Sequence, residues 1–143
     1  MSPARPLPVP DDLSAPYWRA AAAGRLVLAR CSRCERLHHP PDVACGHCGA
    51  TDPGFRWEDV SGRGTVQSWT IVRQSFLPGF AADVPFVLVD VALDDDGGEV
   101  RLIGRLVDGP DAAGLSVGAP VVTVVESLAP GVAVPAFELV PVS

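Results

Sequence analysis

Phe55 and Trp57 alternate with Arg56 and Glu58, the two-residue period of a half-buried strand. From Thr65 onward the chain is dense in strand signals. Thr65 to Arg73, Pro85 to Leu93, Glu99 to Val107, Pro120 to Ser127 and Ala136 to Val140 read as five strands. Asp94-Asp95-Asp96-Gly97-Gly98 joins the second to the third as a turn with a solvated acidic tip. Leu115 to Gly118 forms a short turn or helical piece between the third and the fourth. Five strands with one break after the third predict a small Greek-key barrel of the OB type. Closure removes edges that such apolar strands could not safely leave open.

The N-terminal part has a different pattern. Residues 1–12 are rich in proline and have no periodicity, so they read as an extended arm. A short helix follows, with Ser14 as its cap, Pro16 in its first turn, Asp11 and Asp12 at its positive end and Gly24 as its stop. Tyr17 and Trp18 are large apolar anchors for so short a helix and require something to pack on, either this chain or a partner. Leu26, Val27 and Leu28 form a short strand. Gly62 and Gly64 mark a change of direction into the barrel. The division is therefore an arm (1–12), a helix with a small module (13–60) and a barrel (61–143), mainly β in class.

That small module contains the strongest chemical signal. Cys31-Ser32-Arg33-Cys34 and Cys45-Gly46-His47-Cys48 are two CxxC knuckles separated by ten residues. Two such pairs place four thiolates around one metal ion, and zinc is the usual occupant. Strand, knuckle, turn, knuckle, strand is the order of a zinc ribbon. Four thiolates leave no open position for water, so the zinc, one per chain, is structural and its binding energy acts as folding energy. His38, His39 and His47 are not needed as ligands, and no Ser-His-Asp arrangement, Walker loop or HExxH is present.

Composition and charge narrow the setting. With 48% hydrophobic and 20% charged residues the chain is globular, not disordered. No apolar run approaches the length of a membrane span, and residues 1–12 lack a signal-peptide core; a reducing, cytoplasmic setting follows, where paired cysteines hold metal. All 11 cationic side chains are arginine. Residues 13–75 hold eight of them against five acids, whereas residues 76–143 hold two against ten. Exclusive use of arginine fits the codon bias of a GC-rich genome; the alternative is that arginine forks around the cysteine module, Arg25, Arg33, Arg63 and Arg73 among them, meet an anionic group such as a phosphate. A net charge of −6 argues against broad binding to duplex nucleic acid. The stretch from Phe76 to Pro85, including Phe80, is an apolar loop bounded by Pro and Gly. It either folds back over the barrel mouth or offers a contact surface for a partner or an acyl chain.

The order Pro16-Tyr17-Trp18, Gly24-Arg25-Leu26, Arg30-Cys31-x-x-Cys34, Pro40-Pro41, Cys45-x-x-Cys48-Gly49, Trp57 and Ser61-Gly62-Arg63-Gly64-Thr65-Val66 resembles the DUF35 family. Its members are rubredoxin-like zinc-ribbon and OB-fold proteins linked to acyl-CoA metabolism. Pro85-Phe86-Val87, Gly118 and Val121 extend the resemblance over roughly residues 10 to 140. It implies a non-catalytic accessory subunit, in hetero-oligomeric complex with a thiolase-fold enzyme: a thiolase, a lipid-transfer-protein-like aldolase or an acyltransferase. Such a subunit docks on the enzyme and helps to bind or channel acyl-CoA. In steroid side-chain degradation a related domain is fused to a hydratase; the expectation here is the free-standing form. The resemblance carries the metal to Cys31, Cys34, Cys45 and Cys48 but fixes no CoA-binding residues. Tyr17, Trp18, the four arginines above, Phe76 and Phe80 are the candidate acyl-CoA or partner contacts. Two alternatives stand beside this reading: a stand-alone acyl-CoA-binding protein or hydrolase-like enzyme, and a single-stranded nucleic-acid-binding OB protein.

Overall fold

Polar residues ahead of the first helix set its start. In the computed structural model, which describes residues 4–141, helix α1 spans Ala15–Ala22. The Ser14 N–H donates to Asp11 Oδ1 at 2.7 Å, and the Asp11 N–H donates to Ser14 Oγ at 3.1 Å. The Asp11 carbonyl also accepts the Ala15 N–H at 2.8 Å. This is a reciprocal capping box with Asp11 as the cap. Ser14, expected to cap, already has helical backbone angles (φ −98°, ψ −10°), so its side chain reaches back instead of forward. The far end matches expectation: Gly24 has φ +80°, and Arg25 N–H to Ala20 O (2.8 Å) with Gly24 N–H to Ala21 O (2.9 Å) completes a Schellman motif.

Three short strands follow. β1 (Val27–Arg30), β2 (Leu37–His38) and β3 (Arg56–Asp59) form an antiparallel sheet in the order β2-β1-β3. The chain then enters a closed barrel: β4 (Arg63–Val72), β5 (Phe86–Leu93), β6 (Arg101–Leu106), β7 (Pro120–Ala129) and β8 (Val132–Leu139), in the order β4-β5-β6-β8-β7. Every pairing is antiparallel except the single parallel bridge of β6 to β8 at Leu106 and Phe137. This is the five-stranded OB barrel.

Two glycines allow the barrel to close. A Cβ on Gly64 would run into the Ala92 carbonyl across the β4–β5 pair. On β6, Gly104 lies between the inward residues Leu102 and Leu106, and the Phe137 ring fills the space its side chain would take.

Strand β8 starts at Val132, four positions before the expected Ala136. Pro135 hides this start in the sequence. On one side Pro135 is opposite Val125 of β7; on the other, β8 meets β6 only at Phe137, so a residue without an N–H is tolerated there.

One hydrophobic cluster serves the whole chain. Val66, Val89, Val91, Leu102, Val121 and Phe137 fill the barrel, and Tyr17, Leu28 and Leu37 from the N-terminal part belong to the same cluster. The acidic turn is an exposed tip, as expected, and it adds a polar tie that the sequence did not indicate. Asp95 accepts the Ser61 hydroxyl at 2.7 Å, and Asp96 accepts the Leu37 N–H at 2.9 Å and Arg30 Nη1 at 3.2 Å. Asp96 has φ +53°, which folds the tip back toward the ribbon.

Candidate metal centre and contact surfaces

The two knuckles are built alike. Cys31 N–H donates to Arg36 O and Glu35 N–H to Cys31 O, both at 2.9 Å. Cys45 N–H donates to Ala50 O and Gly49 N–H to Cys45 O, also at 2.9 Å. The residue after each second cysteine turns left-handed: Glu35 at φ +63° and Gly49 at φ +76°. Glu35 holds this conformation without being glycine, and its carboxylate is paired with Arg56 at 2.7 Å.

These turns bring four sulfurs together. Cys31, Cys34, Cys45 and Cys48 have all their Sγ atoms within 4.8 Å of one another, with Cys31–Cys48 at 3.9 Å and Cys34–Cys45 at 3.7 Å. A tetrahedron with metal–sulfur bonds near 2.3 Å has edges of about 3.8 Å, so the spacing fits one zinc ion. The protonation chemistry fits as well. Burial resists ionisation of Cys45, yet the N–H groups of Cys48 and His47 and the neighbouring thiols hold it down to about 5. At Cys34 the Arg36 N–H favours the thiolate, but burial and the other three sulfurs push it up to about 11. Four adjacent thiolates repel one another, and a divalent cation removes the conflict. The ribbon's four cysteines therefore form a closed site for one structural zinc.

Outer contacts orient the ligands. The N–H groups of Arg33, His47 and Cys48 approach Cys31 or Cys45 Sγ at 3.3–3.4 Å. His38 Nε2 lies 3.0 Å from Cys45 Sγ; against a thiolate this nitrogen carries the proton and donates it. The linear sequence does not reveal this role, because His38 reaches the sulfur only through the two-residue strand β2. His47 is exposed, 3.3 Å from Arg36.

The candidate contact residues do not converge on one place. Tyr17 is only 8% exposed, with its ring against Trp18 and His39, and burial pushes its hydroxyl up to about 12. Trp18 is half-buried on the core cluster. Arg25 pairs with Asp59 at 2.7 Å and Arg33 with Asp52 at 2.5 Å. Arg63 and Arg73 have no ionic partner among the described residues, but Arg63 opens β4 and Arg73 follows its last residue, about 30 Å of extended chain away. The apolar loop divides. Phe80 folds back toward Phe86 (centroids 6.0 Å apart) beneath Arg5, whereas Phe76 is 90% exposed.

Two adjoining stretches of the chain match described domain families. Residues 18–54 match "ChsH2, rubredoxin-like zinc ribbon domain", and residues 57–126 match "ChsH2, C-terminal OB-fold domain". A solved chain described as "Ltp2-ChsH2(DUF35) aldolase" is 31% identical, with a TM-score of 0.77 over 92% of this chain and 98% of that one. The chain belongs to the DUF35 family. A DUF35 protein of unknown function from Sulfolobus solfataricus shares the fold at 15% identity and a TM-score of 0.59, over 90% of this chain and 86% of that one. A "Probable enoyl-CoA hydratase alpha subunit" of Thermomonospora curvata is 35% identical over 119 residues, 82% of this chain. This DUF35 chain spans about a third (34%) of that relative's length. Among the described residues no helix is long and apolar enough to cross a membrane.

Proposed function

We propose that this DUF35 chain is a non-catalytic accessory subunit of a thiolase-fold enzyme, on which it docks and for which it helps to bind or channel acyl-CoA. The observation that carries this reading is the match, across nearly its whole length, to the chain described as part of an Ltp2-ChsH2 aldolase. The ribbon is suited to the role because zinc and the shared core make it a rigid support for a docking face. Phe76 and Leu77, 90% and 60% exposed, supply apolar surface for a protein contact. Arg63 and Arg73, free of ionic partners among the described residues, are the arginines best placed to meet CoA phosphates or partner acids. Chemistry belongs to the partner in this reading.

The test is affinity purification of the zinc-loaded chain from its native host, followed by mass spectrometry. A thiolase-fold enzyme at near-stoichiometric level is the expected result. Repeated recovery of the chain without one would overturn the proposal.

A further inference from the structure

The arm ahead of α1 does not trail free. Arg5 donates to Asp83 of the β4–β5 loop at 2.6 Å, lies 3.5 Å from Glu126 of β7, and sits 4.8 Å above the Phe80 ring. Its backbone runs directly over Gly79, where any Cβ would collide with it. Gly79 also has φ +84°, so the loop is shaped to let the arm pass.

Beneath the arm is a cavity of about 300 Å³. Its floor is the outward face of the barrel: Phe86 and Leu88 of β5, Ile103 of β6, Leu128 of β7, and Val134 and Pro135 of β8. Pro6 and Pro8 of the arm form one wall. In five-stranded barrels of this topology, the second and third strands with the loop after the first form the usual ligand face. Here those parts are β5, β6 and the segment containing Phe80.

The usual ligands of that face are polymers held by charge and ring stacking. This face is different. Its lining has two cations, Arg5 and Arg105, and one carboxylate, Glu126, which meets both, Arg105 at 2.9 Å and Arg5 at 3.5 Å; Arg5 is paired a second time with Asp83, outside the lining. Both arginines are thus already held by carboxylates, so neither is left unpaired to meet a phosphate. The floor is apolar, and its volume is at the small end of the range for ligand pockets.

We infer that this cavity is a binding site for the uncharged apolar part of a small ligand, a short alkyl chain or a single ring, with the Arg5-latched arm as its strap. The inference concerns the chain by itself and does not depend on the identity of a protein partner. The arm walls one side of a groove that stays open at Ile103, so the strap narrows the site and holds an occupant against the barrel face.

The experiment uses the full, zinc-loaded chain with 1-octanol as an uncharged apolar probe and CoA as a charged control. Methyl NMR signals of Leu88, Ile103 and Val134 are expected to shift saturably with octanol and not with CoA. Ile103→Trp, at a position 68% exposed and so tolerant of size, is expected to fill the cavity and weaken octanol binding at least tenfold. Arg5→Ala is expected to weaken it several-fold by releasing the strap. Octanol shifts located elsewhere, no saturable shift, or an unchanged affinity in Ile103→Trp with normal zinc content would each overturn the proposal. Capture of a thiolase-fold enzyme by the Ile103→Trp chain is an independent readout, so the two proposals can fail separately.

Discussion

The carboxylate of Asp96, on a barrel hairpin, accepts the backbone N–H of Leu37, in the ribbon, at 2.9 Å. The same side chain meets Arg30, which also pairs with Glu58 at 2.7 Å and donates to the Glu35 carbonyl at 2.7 Å. One guanidinium therefore ties a knuckle, the ribbon sheet and the barrel. Asp96→Ala removes the charged acceptor and places Ala at φ +53°, so a loss of about 2–3 kcal/mol is expected in urea unfolding. Asp96→Asn keeps an acceptor for Leu37 and tolerates the left-handed backbone; it is expected to cost about 1 kcal/mol, chiefly through Arg30.

Zinc content is expected to be one equivalent per chain, and Cys45→Ser is expected to reduce it below about half an equivalent, read by elemental analysis. Cys45 is the informative choice because His38 and two backbone N–H groups point at its sulfur. Amide protection is expected to fall across β1, β2 and β3. Full zinc occupancy in the variant would contradict the four-cysteine site.

The knuckle turns predict a contrast between Glu35 and Gly49. Glu35→Gly relieves a left-handed non-glycine residue but loses an exposed Arg56 pair and gains unfolded-state entropy. These contributions nearly cancel, and the net change is expected to be within about 0.5 kcal/mol. Gly49→Ala has no such offset and is expected to cost about 1–2 kcal/mol. Thermal or urea melts at fixed zinc check both.

His39 should make stability depend on pH. Burial holds its imidazole below the ordinary value of 6.5, and its Nδ1 is buried with no hydrogen-bond partner. A depressed folded value means that the unfolded chain binds the proton first. Stability contributed by the neutral ring is thus complete above pH 6.5 and is lost as pH falls from there through the folded value. His39→Phe, measured against the parent at equal zinc occupancy, is expected to flatten the urea midpoint between pH 7 and pH 5. An identical slope in both chains would show that another group carries it.

The parts legible in the sequence were those encoded by short-range pattern. Both CxxC pairs, the Gly24 stop and the order of the barrel strands depend on residues close together in the chain. The parts that were not legible depend on distant partners or on a residue read by its habit. Asp96 looks like a turn residue until the fold brings Leu37 to it from 59 positions away. Pro135 reads as a strand breaker until β8 is seen to lack a β6 partner beside it. Ser14 is a good cap by composition, but Asp11 takes the role because the helical backbone begins earlier. Of the arginines proposed for phosphate, Arg25 and Arg33 are paired with nearby acids that composition could not assign.

Because Leu28 and Leu37 belong to the same cluster as Val66 and Phe137, the ribbon is not a portable part. Excised for grafting onto another scaffold, it would carry its zinc ligands but uncover the leucines that the barrel shields. The barrel cut free would in turn lose Tyr17 from the shared cluster. Fusion or truncation designs should therefore treat residues 11–141 as one indivisible cassette, and calorimetry of the intact chain should record a single heat-absorption peak.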